Sequence, residues 1–69
     1  MSAARINYSA VPAAVQNTIA ANYTGYTPRH KSKIFTLPGG QIEYGIFLFN
    51  GTNHKRVIVA DDGTVICEQ

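Results

Sequence analysis

Two glycine turns constrain this chain more than any other feature. Asn50-Gly51 and Asp62-Gly63 punctuate Gln41–Cys67, a stretch otherwise rich in β-branched and aromatic residues. Asn and Gly accept the positive φ angles that hairpin turns need, so each dipeptide marks a reversal of direction. Around the turns lie Ile42–Phe49, His54–Ala60 and Val65–Cys67, which read as three antiparallel strands.

Side-chain parity then sets the register. Strand side chains alternate between faces, so a slip of one residue sends a whole apolar set to the wrong side. A loop of even length around Asn50-Gly51 puts Val57 and Val59 on the face of Tyr44, Ile46 and Leu48. An odd loop puts Arg56 there instead, so burial selects the even one. The Asp62-Gly63 turn is then expected to bring Ile66 opposite Val59. Upstream, Lys31–Leu37 reads as a further strand and Pro38-Gly39-Gly40 as a turn. A two-residue Gly39-Gly40 loop pairs Leu37 with Ile42 and Phe35 with Tyr44. The expected inner face is therefore Phe35, Leu37, Ile42, Tyr44, Ile46, Leu48, Val57, Val59 and Ile66.

One helix is expected, over Ala10–Tyr23. Pro12 suits a first turn, where its missing N–H has no intrahelical partner anyway. Ser9 is the upstream cap candidate, with Val11 as the alternative cap position. Val11, Ala14, Val15, Thr18, Ile19 and Tyr23 fall three or four apart and make one stripe, while Gln16, Asn17 and Ala20 face water. Gly25 supplies the exit. Ahead of the helix, Ile6 and Tyr8 alternate with Arg5 and Asn7, so residues 1–9 read as a lead-in or short strand. The expectation is an α+β fold in a single domain, 1–69, with one N-terminal helix packed on one face of a four-stranded antiparallel β-meander.

The other sheet face is not cleanly polar. It carries Glu43, Gly45 and Arg56, but also Phe47, Phe49, Ile58, Val65 and Cys67. An antiparallel sheet with one wet face alternates more strictly than this. Phe47, Phe49, Ile58 and Val65 are thus the candidate interaction face, for a protein partner or a second copy of the chain. The competing reading folds the helix–sheet connection or the N-terminal segment across them.

No catalytic set is legible, and no cofactor-binding or metal-ligating residue is assigned. His30, His54 and Cys67 are far apart in sequence, whereas a zinc site wants three or four ligands at close spacing. Asp61-Asp62-Gly63 lacks the further ligands of a calcium loop and is explained by a hairpin turn. Cys67 has no neighbouring base and orienting group, so a thiol nucleophile is not supported. Its being the one cysteine excludes an intrachain disulfide. An enzyme is the least expected class.

Net charge is +2, from six Lys and Arg against four Asp and Glu, too mild by itself to imply nucleic-acid binding. The densest basic run, Arg29-His30-Lys31-Ser32-Lys33, follows Tyr23 and Tyr26. Basic groups beside aromatics are a footprint of single-stranded nucleic-acid binding. A solvated edge strand whose lysines discourage aggregation is the stronger reading. No apolar run approaches the ~20 residues of a membrane span, and no signal peptide is legible in Met1–Tyr8.

The order of several motifs resembles a PepSY-like domain. They are Val11-Pro12-Ala13-Ala14-Val15, Ile19, Asn22-Tyr23-Thr24-Gly25-Tyr26, Glu43-Tyr44-Gly45-Ile46 and Val57-Ile58-Val59-Ala60-Asp61-Asp62-Gly63-Thr64-Val65. Thr24 stands where that family often has Pro. The resemblance runs from about Val11 to the C-terminus. It implies a helix on an antiparallel sheet, similar to half of the β-lactamase-inhibitor-protein fold. It further implies a non-catalytic module, with a binding or peptidase-inhibiting role, in a secreted or periplasmic setting. It transfers no functional residue, because the matched positions are structural. A structural self-association unit is the second expectation.

Overall fold

The central hairpin follows the parity rule. In a computed structural model describing residues 2–69, strand β4 (Ile42–Asn50) pairs with β5 (Asn53–Ala60), Ile46 lying opposite Val57 and Tyr44 opposite Val59. The loop is the two residues Gly51-Thr52, one step later than the Asn50-Gly51 marker suggests, and Gly51 takes the positive φ of +62°. Ile46, Leu48, Val57 and Val59 are essentially inaccessible to solvent.

The helix α1 spans Ala13–Asn22, shorter than the expected Ala10–Tyr23. A separate 3-10 turn occupies Tyr8–Ala10, and Pro12 rather than Ser9 or Val11 holds the cap position. Gln16, expected to face water, instead donates from Nε2 to the carbonyl oxygens of Val11 (2.8 Å) and Tyr8 (3.2 Å). It thereby ties the turn to the helix. Val11, Val15, Ile19 and Tyr23, each four residues apart, bury against the sheet, while Ala14 is exposed. Gly25, two residues past the cap, has φ +90°.

The four-stranded meander is corrected to a single antiparallel sheet of six strands. Its order is β1 (Ser2–Asn7), β3 (Lys31–Thr36), β4, β5 and β6 (Val65–Glu68), with β2 (Thr27–Pro28) also on β4. The two added strands lie where local sequence is weakest. β1 (Ser2–Asn7) pairs along the whole of β3 (Lys31–Thr36), from Ser2 opposite Thr36 to Asn7 opposite Lys31. The lead-in is thus an edge strand; Met1 lies outside the described residues. β2 is only Thr27–Pro28 and lies beside Phe49 and Leu48, along the part of β4 that β3 does not reach.

Two registers also differ from expectation. Leu37, Pro38, Gly39 and Gly40 close a turn in which Gly40 N–H donates to Leu37 O (3.0 Å). Pro then Gly at positive φ, +94° for Gly39, suits a type II turn. The connection has odd length, so Ile34 faces Tyr44 and Thr36 faces Ile42. Every side chain of β3 is turned over relative to the expected pairing. Ile34 and Ser32 point to the helix, while Phe35 and Leu37 leave the inner face. At the other edge, β6 (Val65–Glu68) carries a bulge, with Val59 opposite Val65 but Ile58 opposite Cys67. Ile66 is the extra residue and is half exposed (50%) instead of sitting opposite Val59.

The core is the helix face set into β4 and β5: Val11, Val15, Ile19, Tyr23, Tyr44, Ile46, Leu48, Val57 and Val59. Only one face of the sheet contributes to it.

Candidate interaction face

Pairing decides which side chains share the open face. Directly opposed residues in antiparallel strands lie on the same side. Tyr44, Ile46 and Leu48 are buried under the helix, so Glu43, Gly45, Phe47 and Phe49 point away from it. Ile58 is opposite Gly45, Arg56 opposite Phe47 and His54 opposite Phe49. Phe47, Phe49 and Ile58 therefore come together as expected. Val65 does not join them, because the bulge sets it opposite Val59 on the helix side. Cys67, a free and exposed thiol, takes the place beside Ile58.

Phe35 is an addition. It sits opposite Glu43, and a Cβ built on Gly45 meets its Cε2 at 3.0 Å. The ring therefore covers the glycine, which explains why Gly45 is buried on a face without a second layer. Phe35, Phe47, Phe49 and Ile58 are half-buried, and none packs into the core cluster. Neither segment expected to fold across them does so. The N-terminal segment extends the sheet as β1, and the helix–sheet connection enters it as β2.

The same rows gather the positive charge. Arg5 is opposite Lys33, which is opposite Gly45. Lys31 is opposite Asn7, and its Nζ donates to Asn7 Oδ1. Arg29 donates its N–H to Phe47 O (2.8 Å), which places it beside Phe47 on the β2 side. Arg56 lies beside Phe47 on the β5 side. Phe47 is thus bracketed by two arginines, and the Arg29 guanidinium lies 5.6 Å from the Phe49 ring centre. An open hollow of about 380 Å³ is lined there by Arg29, Phe47, His54, Arg56 and Gln69, together with Leu48 and Lys55.

Arg5, Arg29, Lys31, Lys33 and Arg56 share this face with one carboxylate, Glu43, giving it a net charge of +4. The rest of the chain holds one cation, Lys55, and three carboxylates, for a net −2. Among the described residues none of the five face cations is in a salt bridge. The run Arg29–Lys33 places its three fixed charges on the open face, and β1 covers β3, so this is not the edge strand that was expected. The tyrosines before the run lie on the opposite side. Tyr23 is in the core and Tyr26 packs against it. Sequence reading thus paired the cations with the wrong aromatics. The alternation of Phe47, Phe49 and Arg56 was the signal for the right ones, but Arg5 and Phe35 needed the registers of β1 and β3.

Two of the remaining charges, Lys55 and Glu68, form a clamp on the helix side. Lys55 Nζ is 3.0 Å from Glu68 Oε1, and Tyr23 Oη donates to Glu68 Oε2 (2.8 Å). These contacts lower the Glu68 carboxyl below its ordinary value, the tyrosine hydrogen bond first and the lysine after it. Burial, then the Glu68 hydrogen bond and charge, push Tyr23 up to about 12. The clamp ties β6 to the helix exit, and its Tyr23 also lines an open hollow of about 510 Å³ on the helix side, with Tyr8, Gln16 and Tyr26.

His30, His54 and Cys67 are exposed, and no three His, Cys, Asp or Glu gather among the described residues. No helix among them is long and apolar enough to cross a membrane. The arrangement offers an open, basic and aromatic surface for contact. No family model matches the chain, and no curated protein or solved structure matches it either.

Proposed function

We propose that this chain is a small non-catalytic binding module that works through the open face of its sheet. The observation that carries this is the row Arg29–Phe47–Arg56, with Phe35, Phe49 and Ile58 around it and no second layer over it. A stable fold has no need to collect five unpaired cations around half-buried rings, since like charges on one face oppose each other. The resemblance to PepSY-like domains, with their non-catalytic character, points the same way.

The test is selective retention of partners from cell extract. Phe47→Ser with Ile58→Thr alters the face without touching the helix side. Asn17→Ser with Ala20→Ser is the matched change on the exposed helix surface. Loss of specific retention in the first pair alone supports the reading. Equal retention by both pairs refutes it.

A second reading is self-association through a sheet edge. β6 is exposed along its length, and Ile66 and Val65 stand 50% and 37% open there. A concentration series by sedimentation, with Ile66→Lys as the disrupting variant, decides it.

A further inference from the structure

We infer that the open face takes single-stranded nucleic acid, phosphates lying against its arginines and lysines and bases stacking on its phenylalanines. This rests on the binding-module reading and names its partner by chemistry. Charge complementarity selects a polyanion, because the face carries net +4 and the remainder net −2. Self-stacking of two such faces is disfavoured by the same charges. The rings select the polyanion further. Phe47 and Phe49 are alternate residues of one strand, so they stand about 6.8 Å apart, and Phe35 adds a third ring across Glu43. Half-buried rings on an open sheet face give successive bases planes to stack on, with arginines beside Phe47 and over Phe49 for the backbone. Arg29 and Arg56 on either side of Phe47 place a cation on both flanks of the central ring. A duplex keeps its bases stacked inside, and a surface five strands wide does not enter a groove about 12 Å across.

The whole-chain charge hid this surface. A net of +2 is mild only because three of the four carboxylates sit elsewhere: Asp61 and Asp62 at the β5–β6 turn, and Glu68 at the helix exit.

The experiment is a fluorescence-anisotropy titration of the full chain against a labelled 12-nucleotide oligo-dT and oligo-U. Three comparison probes are the duplex of equal length, an abasic strand of equal length and a poly-glutamate of equal charge. Single strands are expected to bind best. Their affinity should fall roughly 50-fold between 50 and 200 mM salt if about four phosphates are neutralised. Phe47→Leu keeps the apolar contact and removes the stacking plane; it should weaken binding about tenfold or more. Arg29→Gln with Arg56→Gln should weaken it and flatten the salt slope, while Asn17→Ser with Ala20→Ser, on the exposed helix surface, should leave both unchanged. Circular dichroism of each variant shows that the fold persists. Equal binding of the abasic strand or of poly-glutamate overturns the inference, and so does tighter binding of the duplex. A flat titration overturns it too. If the Phe47/Ile58 pair still loses its retention from extract in that case, the module reading stands with a different partner. If retention is also unchanged, both fall.

Discussion

Gly63 is a point of close contact between the helix and the last hairpin. Its φ is +94°, and a Cβ there would lie 2.7 Å from Thr18 Oγ1 and 2.8 Å from Ala14 O. Thr18 Oγ1 donates to the Gly63 carbonyl oxygen (2.7 Å), so the two elements are already joined at this spot. Backbone atoms of the helix cannot move aside as a flexible side chain can. Gly63→Ala is therefore expected to cost more than about 2 kcal/mol, from left-handed strain plus the clash. Gly51→Ala isolates the first cause, because its φ is +62° and nothing lies within 4 Å of its Cβ position. That change should cost about 1 kcal/mol. Urea midpoints at unchanged slope measure the difference, and equal losses would refute the contact. Leu48→Ala, at an inaccessible site, is expected to cost about 2–5 kcal/mol, against a total of roughly 3–10 kcal/mol for a chain this short. The turn role of Gly63 is legible in Asp62-Gly63. Its contact with the helix is not, because nothing local links position 63 to Ala14 and Thr18.

Among the elements, β6 depends most on ionised groups. Its four residues are exposed, and it has strand contacts on one side only. Glu68 reaches back to Tyr23 and Lys55, and its carboxyl is held low by them. Asp62, in the turn before β6, is also held low, chiefly by the Thr64 N–H. A lowered carboxyl stabilises the fold fully above the ordinary carboxylate range and loses that effect as pH falls through the lowered value. Acid should therefore loosen β6 first. Glu68→Gln should be less stable than the parent at neutral pH and converge with it in acid, read from amide exchange of Val65–Glu68. At the alkaline end the sign reverses. A raised tyrosine favours the folded state below its ordinary value, and that effect is lost as pH climbs towards about 12. The phenols of Tyr23 and, through burial alone, Tyr8 should ionise late in an ultraviolet titration, and Glu68→Gln should bring only Tyr23 partly back, since burial is its larger cause. The strands show where sequence suffices. β4 and β5 were legible because one turn parity alone puts Tyr44, Ile46, Leu48, Val57 and Val59 on a single face. β3 carries apolar residues at both parities, Ile34 against Phe35 and Leu37, so the turn chose its register. β1 is marked only by Ala3, Ala4 and Ile6, and its strand state comes from the free side of β3, a partner 24 or more residues away.

At the scale of the molecule, one layer of helix lies on one layer of sheet and leaves the second face bare. A ten-residue helix is about 15 Å long, against a longest dimension of 37 Å, so even the inner face is only partly roofed. The bare face is kept in water by charge, as its rings would otherwise invite stacking. Sequence made the apolar half of this face legible through Phe47, Phe49 and Ile58. It did not reveal the charge segregation, because net charge averages over two faces that the register separates. A sign test follows. If repulsion between the +4 faces is what keeps copies apart, screening should release it. The weight-average mass from sedimentation is then expected to rise between 0.05 and 0.5 M salt. Arg29→Glu with Arg56→Glu lowers the charge on the face to zero, so it should associate already at low salt. Phe47→Asp should stay monomeric throughout. Nucleic-acid binding has the opposite salt dependence, so the two processes on one surface are told apart by direction alone. A mass that falls with salt would mean that copies meet through opposite charges, and the bare face would not be the surface that holds them apart.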